Sequence, residues 1–320
     1  MIDNKFTLKK ILGQGGSSRV YLATDNNDQQ YAVKILRKDK KYSYERGSWM
    51  IQKEYWIMTK LQEHPNILNW FYFNPDGNMK SSGKKENVMY NLLELADNGP
   101  VSNFIRVTGP IEENLVRFMF LQLGDGVKYM HSKLLAHLDL KLENILLDKY
   151  FNIKLADLGV SHQLTKDSKE WAHRRGTMHY MAPEVAGLQK DEKYEALKAD
   201  IYSLGVWLYI LLIGEFPDLK VISQIFLATN DTEMDDNDTK KSDVDQTLVK
   251  KWNKLSENSR NLIVQMLEKE PFARPSIDEI FDHAWFSEDF TEETQCNLYN
   301  EMSYRKTFIA DFLRKKPKAS

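Results

Sequence analysis

A chain of 320 residues, 42% hydrophobic and 28% charged, has enough apolar side chain for a buried core and enough length for two compact lobes. Its 44 basic and 46 acidic side chains leave a formal net charge of -2, which excludes the global basic field that would hold nucleic acid or an anionic membrane. The single cysteine, Cys296, excludes an internal disulfide and a multi-thiolate zinc site, and suits a reducing compartment, cytoplasmic by default with the nucleus as the alternative.

The first ten residues are mixed polar and charged, so no secretory leader is expected. Short β-prone runs follow at 6–12, 19–23, 31–36, 67–73 and 88–95, separated by glycine- and asparagine-rich turns, and predict an antiparallel sheet. One helix interrupts them over 45–62, where Ile51, Tyr55, Met58 and Leu61 recur at helical spacing. The polar stretch 74–87 (NPDGNMKSSGKKEN) predicts a mobile surface loop between two strands. From about residue 101 helical periodicity takes over, with helices expected at 112–132, 199–213, 256–268 and 277–283, and Pro271 and Pro275 marking turns before the last of them. The longest apolar stretch, 204–213, is half of the roughly twenty residues a membrane span needs, so it predicts a core helix and no transmembrane segment. A second polar insert, 230–246, is expected to be mobile surface, and no repeat of fixed period is present. The pattern is α+β: a small antiparallel sheet lobe with one key helix over 1–95, a larger helical lobe over 96–286, and a C-terminal tail over 287–320.

Five short motifs carry chemistry. In ILGQGGSSRVYLA, Gly13, Gly15 and Gly16 let backbone amides approach phosphate oxygens that a Cβ would obstruct, although an ordinary hairpin turn explains this segment equally well by itself. Lys34 ends the strand run YAVK, and Glu54 shares a helix face with Met58 and Leu61, so an inward carboxylate is available to fix the ammonium. The segment 136–148 (AHLDLKLENILLD) sets Asp139, Lys141 and Asn144 ahead of an apolar strand. It is followed by Asp157 in D-L-G and by A-P-E from Ala182.

In that order and spacing the motifs resemble those of eukaryotic-type serine/threonine protein kinases over roughly residues 6–286. RPSIDEIFDHAWF, which closes the stretch, is similar to the calcium/calmodulin- and AMP-regulated branch. The resemblance implies a bilobal kinase fold that binds ATP and Mg2+ and phosphorylates protein substrates. It assigns Asp139 to the substrate hydroxyl, Lys141 to the γ-phosphate, and Asn144 and Asp157 to the metal ions. Lys34, held by Glu54, would meet the α- and β-phosphates; Leu12, Gly13, Gly15, Val20, Ala32 and Leu146 would enclose the nucleotide; Leu93 would be the gatekeeper, with the Glu94 carbonyl and Ala96 amide facing the adenine edge. Lys141 within D-L-K-L-E-N and Gly176-Thr177 before A-P-E are similar to serine/threonine rather than tyrosine kinases, and Thr177 would contact Asp139 and Lys141. Glu184 would pair with Arg274, and Asp200 would hold the catalytic-loop backbone. With these positions filled, a nucleotide-binding scaffold without phosphotransfer and a small-molecule kinase are the lesser readings.

The sequence also departs from the family pattern. Ser18 stands where the third glycine falls, and Leu158 replaces a phenylalanine, with Met58, Trp70 and His137 expected around it. Leu138 stands where regulated kinases carry an arginine that binds an activation-loop phosphate, and His173 occupies the usual acceptor position. Together these predict a loop independent of phosphate at that position, ordered by packing around Trp171 and by the charges of Arg174 and Arg175. Pro100 and Ile210 replace acids that hold upstream arginines of a substrate, which leaves Glu143 and at most a modest basic preference. The tail over 303–320 pairs Phe308, Ile309, Phe312 and Leu313 with basic residues as an amphipathic helix. It is a candidate for regulatory contact, as an autoinhibitory, calmodulin-binding or membrane-touching segment, or else a helix packed on the large lobe.

Overall fold

Strand runs in the first part of the chain build a five-stranded sheet from β1 (Thr7–Gln14), β2 (Ser18–Thr24), β3 (Gln30–Leu36), β4 (Trp70–Ser81) and β5 (Lys84–Leu93), in the order β1-β2-β3-β5-β4 and antiparallel throughout. The computed structural model describes residues 1–38, 44–61, 63–81, 84–230, 246–287 and 291–315. Register sets Val20 opposite Lys34, and Ala32 opposite both Leu22 and Leu93. Because side chains alternate along a strand, Val20, Ala32, Lys34, Asn91 and Leu93 share one face. That face receives α1 (Tyr44–Met58), which buries Gly47, Ile51, Glu54, Ile57 and Met58. On the other face Val33, Ile35, Val88, Tyr90 and Leu92 form a separate apolar cluster, closed by Ile2 with Phe6 packed against it.

The stretch 74–87 is a correction to the sequence expectation. Its described residues, 74–81 and 84–87, belong to β4 and β5, paired residue by residue from Gly77 opposite Val88 to Ser81 opposite Lys84. Pro75 falls in an irregularity of the ladder between Asn74 and Gly77, which is how a residue without an amide proton is accommodated. Gly77 has a packing reason, since a Cβ there would lie 2.5 Å from a Tyr90 ring atom. The first residues clamp this pair: Ile2 bridges Met79, and Asp3 accepts hydrogen bonds from the Asn78 amide (2.6 Å), the Asn74 amide group (2.8 Å) and the Tyr90 hydroxyl (2.7 Å). Polar composition hid a strand pair whose partners lie more than seventy residues away.

After the hinge the chain runs through β6 (Gly99–Pro100), α2 (Ser102–Thr108), α3 (Glu113–Ser132), β7 (Leu135–Ala136), β8 (Ile145–Leu147), β9 (Ile153–Leu155), β10 (His162–Gln163), β11 (Glu170–Trp171), α4 (Pro183–Ala186) and β12 (Tyr194–Glu195). It continues through α5 (Ala196–Ile213), α6 (Leu219–Asn230), α7 (Gln246–Asn253), α8 (Glu257–Met266), α9 (Ile277–Phe281) and α10 (Glu292–Lys315). Sequence periodicity misses α2, α6 and α7, and the expected insert at 230–246 lies, but for its ends, outside the described residues. Helix α5 is longer than the apolar stretch that announced it. By length and composition it could span a bilayer, yet 89% of it is buried inside the lobe, around Trp207 and Tyr209. Helix α10 begins eleven residues earlier than the tail pattern suggests and lies against α2 and α3. It buries Leu298, Met302 and Arg305, and the Arg305 guanidinium donates to Thr108 Oγ1 (2.6 Å) and to the carbonyls of Gly109 (2.9 Å) and Pro110 (2.8 Å). Those carbonyls follow the C-terminus of α2, where a cation is favoured.

Candidate active site

The catalytic-loop backbone is fixed from beneath. Asp200, buried in the first turns of α5, accepts hydrogen bonds from the amides of His137 (2.7 Å) and Leu138 (2.8 Å) and from His131 Nε2 (3.0 Å). Three donors on one carboxylate satisfy a charge that burial would otherwise make costly. They also hold Leu138 at φ 64, a left-handed conformation uncommon for leucine. The Leu138 carbonyl then points at Gly176, where φ is 105 and a Cβ would come within 2.8 Å of that oxygen. Gly176 is therefore required for the segment after it to reach the catalytic loop.

That close approach delivers Thr177. Its hydroxyl donates to Asp139 Oδ1 (2.8 Å) and accepts from Lys141 Nζ (2.9 Å), while Lys141 Nζ also donates to Asp139 Oδ2 (2.7 Å). Asn144 donates its amide to the Asp139 carbonyl (2.9 Å) and to Asp139 Oδ2 (3.1 Å), which leaves its side-chain oxygen turned to other use. Asp157, in the left-handed region at φ 64, accepts at Oδ1 from Lys34 Nζ (2.8 Å). Lys34 reaches Glu54 as well (2.9 Å), and Asn91 donates to the second Glu54 oxygen (3.2 Å).

Charge follows this geometry. Burial works against the Lys34 ammonium, but the carboxylates of Asp157 and Glu54 outweigh it and raise its pKa, so the lysine stays protonated. The Lys34 charge holds the Asp157 carboxyl below its ordinary value. Glu54 is pushed up, chiefly by burial, against the pull of Lys34.

A cavity of about 410 Å³ opens between the glycine turn and α1, lined by Gly15, Gly16, Lys34, Gly47, Met50 and Asp157 among others. Gly15 and Ser18 close the turn through the Gly15 amide and the Ser18 carbonyl (2.9 Å). Gly13 sits on the strand leading into it, beside half-exposed Leu12. Ala32 and Leu93 are buried, and Val20, Leu146 and Ala96 are part-buried against the same core. The Glu94 side chain is engaged elsewhere, with the Asn69 amide (2.9 Å) and Lys154 Nζ (2.8 Å). Sequence reasoning missed Asn91 and Gly47. Asn91 is legible as a polar residue inside the apolar strand VMYNLL, and Gly47 as a glycine in the first turn of a helix, where a Cβ would meet Leu36 at 2.7 Å and Ser17 at 3.3 Å.

Around this centre, Arg274 is buried and donates two bonds to the Glu184 carboxylate (2.7 and 2.8 Å). Leu158 is buried in the cluster that holds Met58, with Trp70 packed against it, and His137 Nε2 lies 3.1 Å from the Ala156 carbonyl. The activation segment is held by short strands, β10 on β7 and β11 on β12, and by Trp171, whose ring stacks on His162 (centroids 3.4 Å apart) and meets His173 edge-on (4.8 Å). The Tyr194 hydroxyl donates to the His173 carbonyl (3.2 Å). Packing around Trp171 is thus present, and the Arg175 charge acts on Lys53 of α1 and on Tyr194. Burial, then Lys53, His173 and Arg175, push His162 down to about 4.

Comparison with known proteins agrees with this geometry. Residues 6–286 match the family described as Protein kinase domain. The chain is 31% identical over 91% of its length to the "Cell cycle serine/threonine-protein kinase CDC5/MSD2" of Saccharomyces cerevisiae, of which it covers 38%. It is 33% identical over 89% of its length to "CBL-interacting protein kinase 31" of Oryza sativa subsp. japonica, covering 58% of that protein. To the "Serine/threonine-protein kinase chk1" of Schizosaccharomyces pombe it is 29% identical over 89% of its length, covering 54% of it. The chain therefore spans less than two thirds of the length of each of these relatives.

Proposed function

The chain belongs to the protein kinase family, and on that premise we propose that it transfers the γ-phosphate of ATP to serine and threonine hydroxyls of protein substrates. The observation that carries the proposal is the network of Thr177, Asp139, Lys141 and Asn144 beside the Lys34, Glu54 and Asp157 group, with no member replaced. Phosphoryl transfer asks mainly for positioning and charge neutralisation, and this arrangement supplies both.

In the proposed reaction the Asp139 carboxylate accepts a hydrogen bond from the substrate hydroxyl and takes its proton as the new O–P bond forms and the bond to the β-phosphate oxygen breaks. Lys141 carries positive charge to the γ-phosphate, and Lys34, aimed by Glu54, carries it to the α- and β-phosphates. Val20, Ala32 and Leu146 enclose the adenine, Leu93 borders it, and the Glu94 carbonyl and Ala96 amide meet its polar edge. Leu12, Gly13 and Gly15 cover the nucleotide from above.

The donor set suits magnesium. Asn144 spends its amide nitrogen on Asp139 and keeps a carbonyl oxygen, Asp157 keeps a carboxylate oxygen beyond the one on Lys34, and both are hard oxygen donors. Among the described residues no cluster of three or more His, Cys, Asp or Glu could cage an ion alone, so the remaining ligands would come from phosphate and water, as magnesium prefers. Bound there, Mg2+ would neutralise the charge that develops on the phosphate oxygens.

Activity independent of a phosphate at the usual loop position is part of the proposal. Its support is that Leu138 is a buried leucine whose amide is committed to Asp200, that His173 has no hydroxyl, and that Trp171 packs the segment between two imidazoles. Transfer from γ-labelled ATP to a mixed panel of acidic and basic proteins, followed by phosphoamino-acid analysis, tests the main claim. Label on serine and threonine, lost in Asp139→Asn and Asp157→Ala, is the expected result; no transfer, or label on tyrosine, would overturn it.

A further inference from the structure

The outer face of α1 takes no part in the catalytic arrangement, yet its composition is unusual. Trp49, Lys53, Trp56 and Lys60 follow at intervals of four, three and four residues, which is one line along a helix of 3.6 residues per turn and its continuation. Trp49 and Trp56 are 52% and 46% exposed. Each ring lies under an ammonium, Lys53 4.9 Å from the Trp49 centroid and Lys60 3.5 Å from that of Trp56. Tryptophan is an indifferent helix former, so nothing in the helix itself calls for two large rings on the side turned to water. Half-buried aromatic rings bordered by cations are instead the composition of protein interfaces.

A second observation concerns charge. Lys53 is part-buried, and the Arg175 charge acts on it, while both of them and His173 act on His162. Burial and Arg175 pull Lys53 down to about 8, and no carboxylate offsets them. Among the described residues neither Lys53 nor Arg175 has an acidic partner within salt-bridge distance. In a chain of net charge -2, this face carries positive charge that makes no ion pair with a carboxylate among the described residues.

We propose that the outer face of α1 is a docking site for a protein partner that presents an acidic segment with apolar side chains, its carboxylates meeting Lys53, Lys60 and Arg175 and its apolar groups packing on Trp49 and Trp56. Charge complementarity selects an acidic partner, and the rings, about 10 Å apart along the axis at 1.5 Å per residue, call for apolar anchors at matching separation. The site bears on the catalytic centre because the opposite face of the same helix carries Glu54.

The test uses the full chain and a displayed random-peptide library, counter-selected against the Trp49→Ala, Trp56→Ala double variant. The selected peptides are synthesised and titrated by fluorescence polarisation. Enrichment of acidic sequences bearing apolar residues is expected, with affinity falling about tenfold in Trp56→Ala and in Lys53→Glu and falling further as salt rises. Lys53→Glu keeps both rings, and melting curves matching the parent chain show that either variant is folded. Three results overturn the proposal: no sequence that distinguishes the parent from the double variant, enrichment of basic peptides, or self-association in sedimentation velocity that Trp56→Ala abolishes. Binding of the parent to anionic phospholipid vesicles without any such peptide counts against it equally. No arm needs phosphotransfer, so failure here and failure of the kinase reading are told apart.

Discussion

The catalytic loop and the activation segment lie side by side and are held in opposite ways. In the loop, buried Asp200 fixes the backbone at His137 and Leu138, and each functional side chain has at least one hydrogen-bond partner of its own. The activation segment has two-residue strands, a tryptophan between two imidazoles, and the like charges of Lys53 and Arg175 across its boundary with α1. One region is preorganised by charge-assisted bonds in a poorly hydrated setting; the other rests on stacking worth about 1 kcal/mol per ring pair. Chemistry should therefore be sensitive to single atoms in the loop, and the segment should respond to mild changes of packing and pH.

The sharpest way to break this contrast is Asp139→Asn. It preserves shape and removes the proton acceptor, and should lower kcat by about 10² to 10⁴, with only a small fall in melting temperature from the one accepting oxygen that becomes a donor. A variant that retained half the parental rate would place the chemistry elsewhere. Next comes Glu184→Ala, which leaves the buried Arg274 guanidinium without its carboxylate and should cost about 3 kcal/mol in urea unfolding. A loss well under 1 kcal/mol would mean that the carbonyls around Arg274 suffice.

On the other side of the contrast, Trp171→Ala should lower kcat/KM about tenfold, the equivalent of ~1.4 kcal/mol of ring stacking. Protease cleavage within the segment should increase while global melting stays put; unchanged kinetics and cleavage would deny Trp171 its role. The mildest effect is on pH. His162 is held at about 4 in the folded segment against an ordinary 6.5, so the unfolded segment binds the proton more readily. The contribution of neutral His162 is present above pH 6.5 and is lost as pH falls toward 4. Opening of the segment, followed by hydrogen exchange, should rise on acidification through that window, and His162→Phe should flatten the dependence. An equal slope in the variant would assign it to other groups.

The proposed catalytic centre is legible in the sequence as a group because its members lie in short contiguous motifs whose spacing survives into three dimensions. Asp139, Lys141 and Asn144 span six residues and end on one carboxylate. What stayed hidden depends on distant partners. Asn91 looks like a misplaced polar residue until Glu54 stands beside it, and Gly176 looks like any turn glycine until the Leu138 carbonyl comes against it. The strand pairing of 74–81 with 84–87 stayed hidden because its apolar support, Ile2, lies at the other end of the sheet lobe's sequence. That the charge of Arg175 also reaches Lys53 is hidden for the same reason, since it needs α1 in place.

We propose a kinase whose catalytic centre is complete without a loop phosphate. It is tested most directly by bringing the full chain to a single unphosphorylated species with phosphatase, verified by intact mass, and measuring initial rates of transfer to a protein substrate before and after treatment. Equal initial rates, with no phosphate on Thr165 or Ser168 at the start of the reaction, are predicted. A rate that collapses on dephosphorylation and returns with phosphate on either residue would contradict the account.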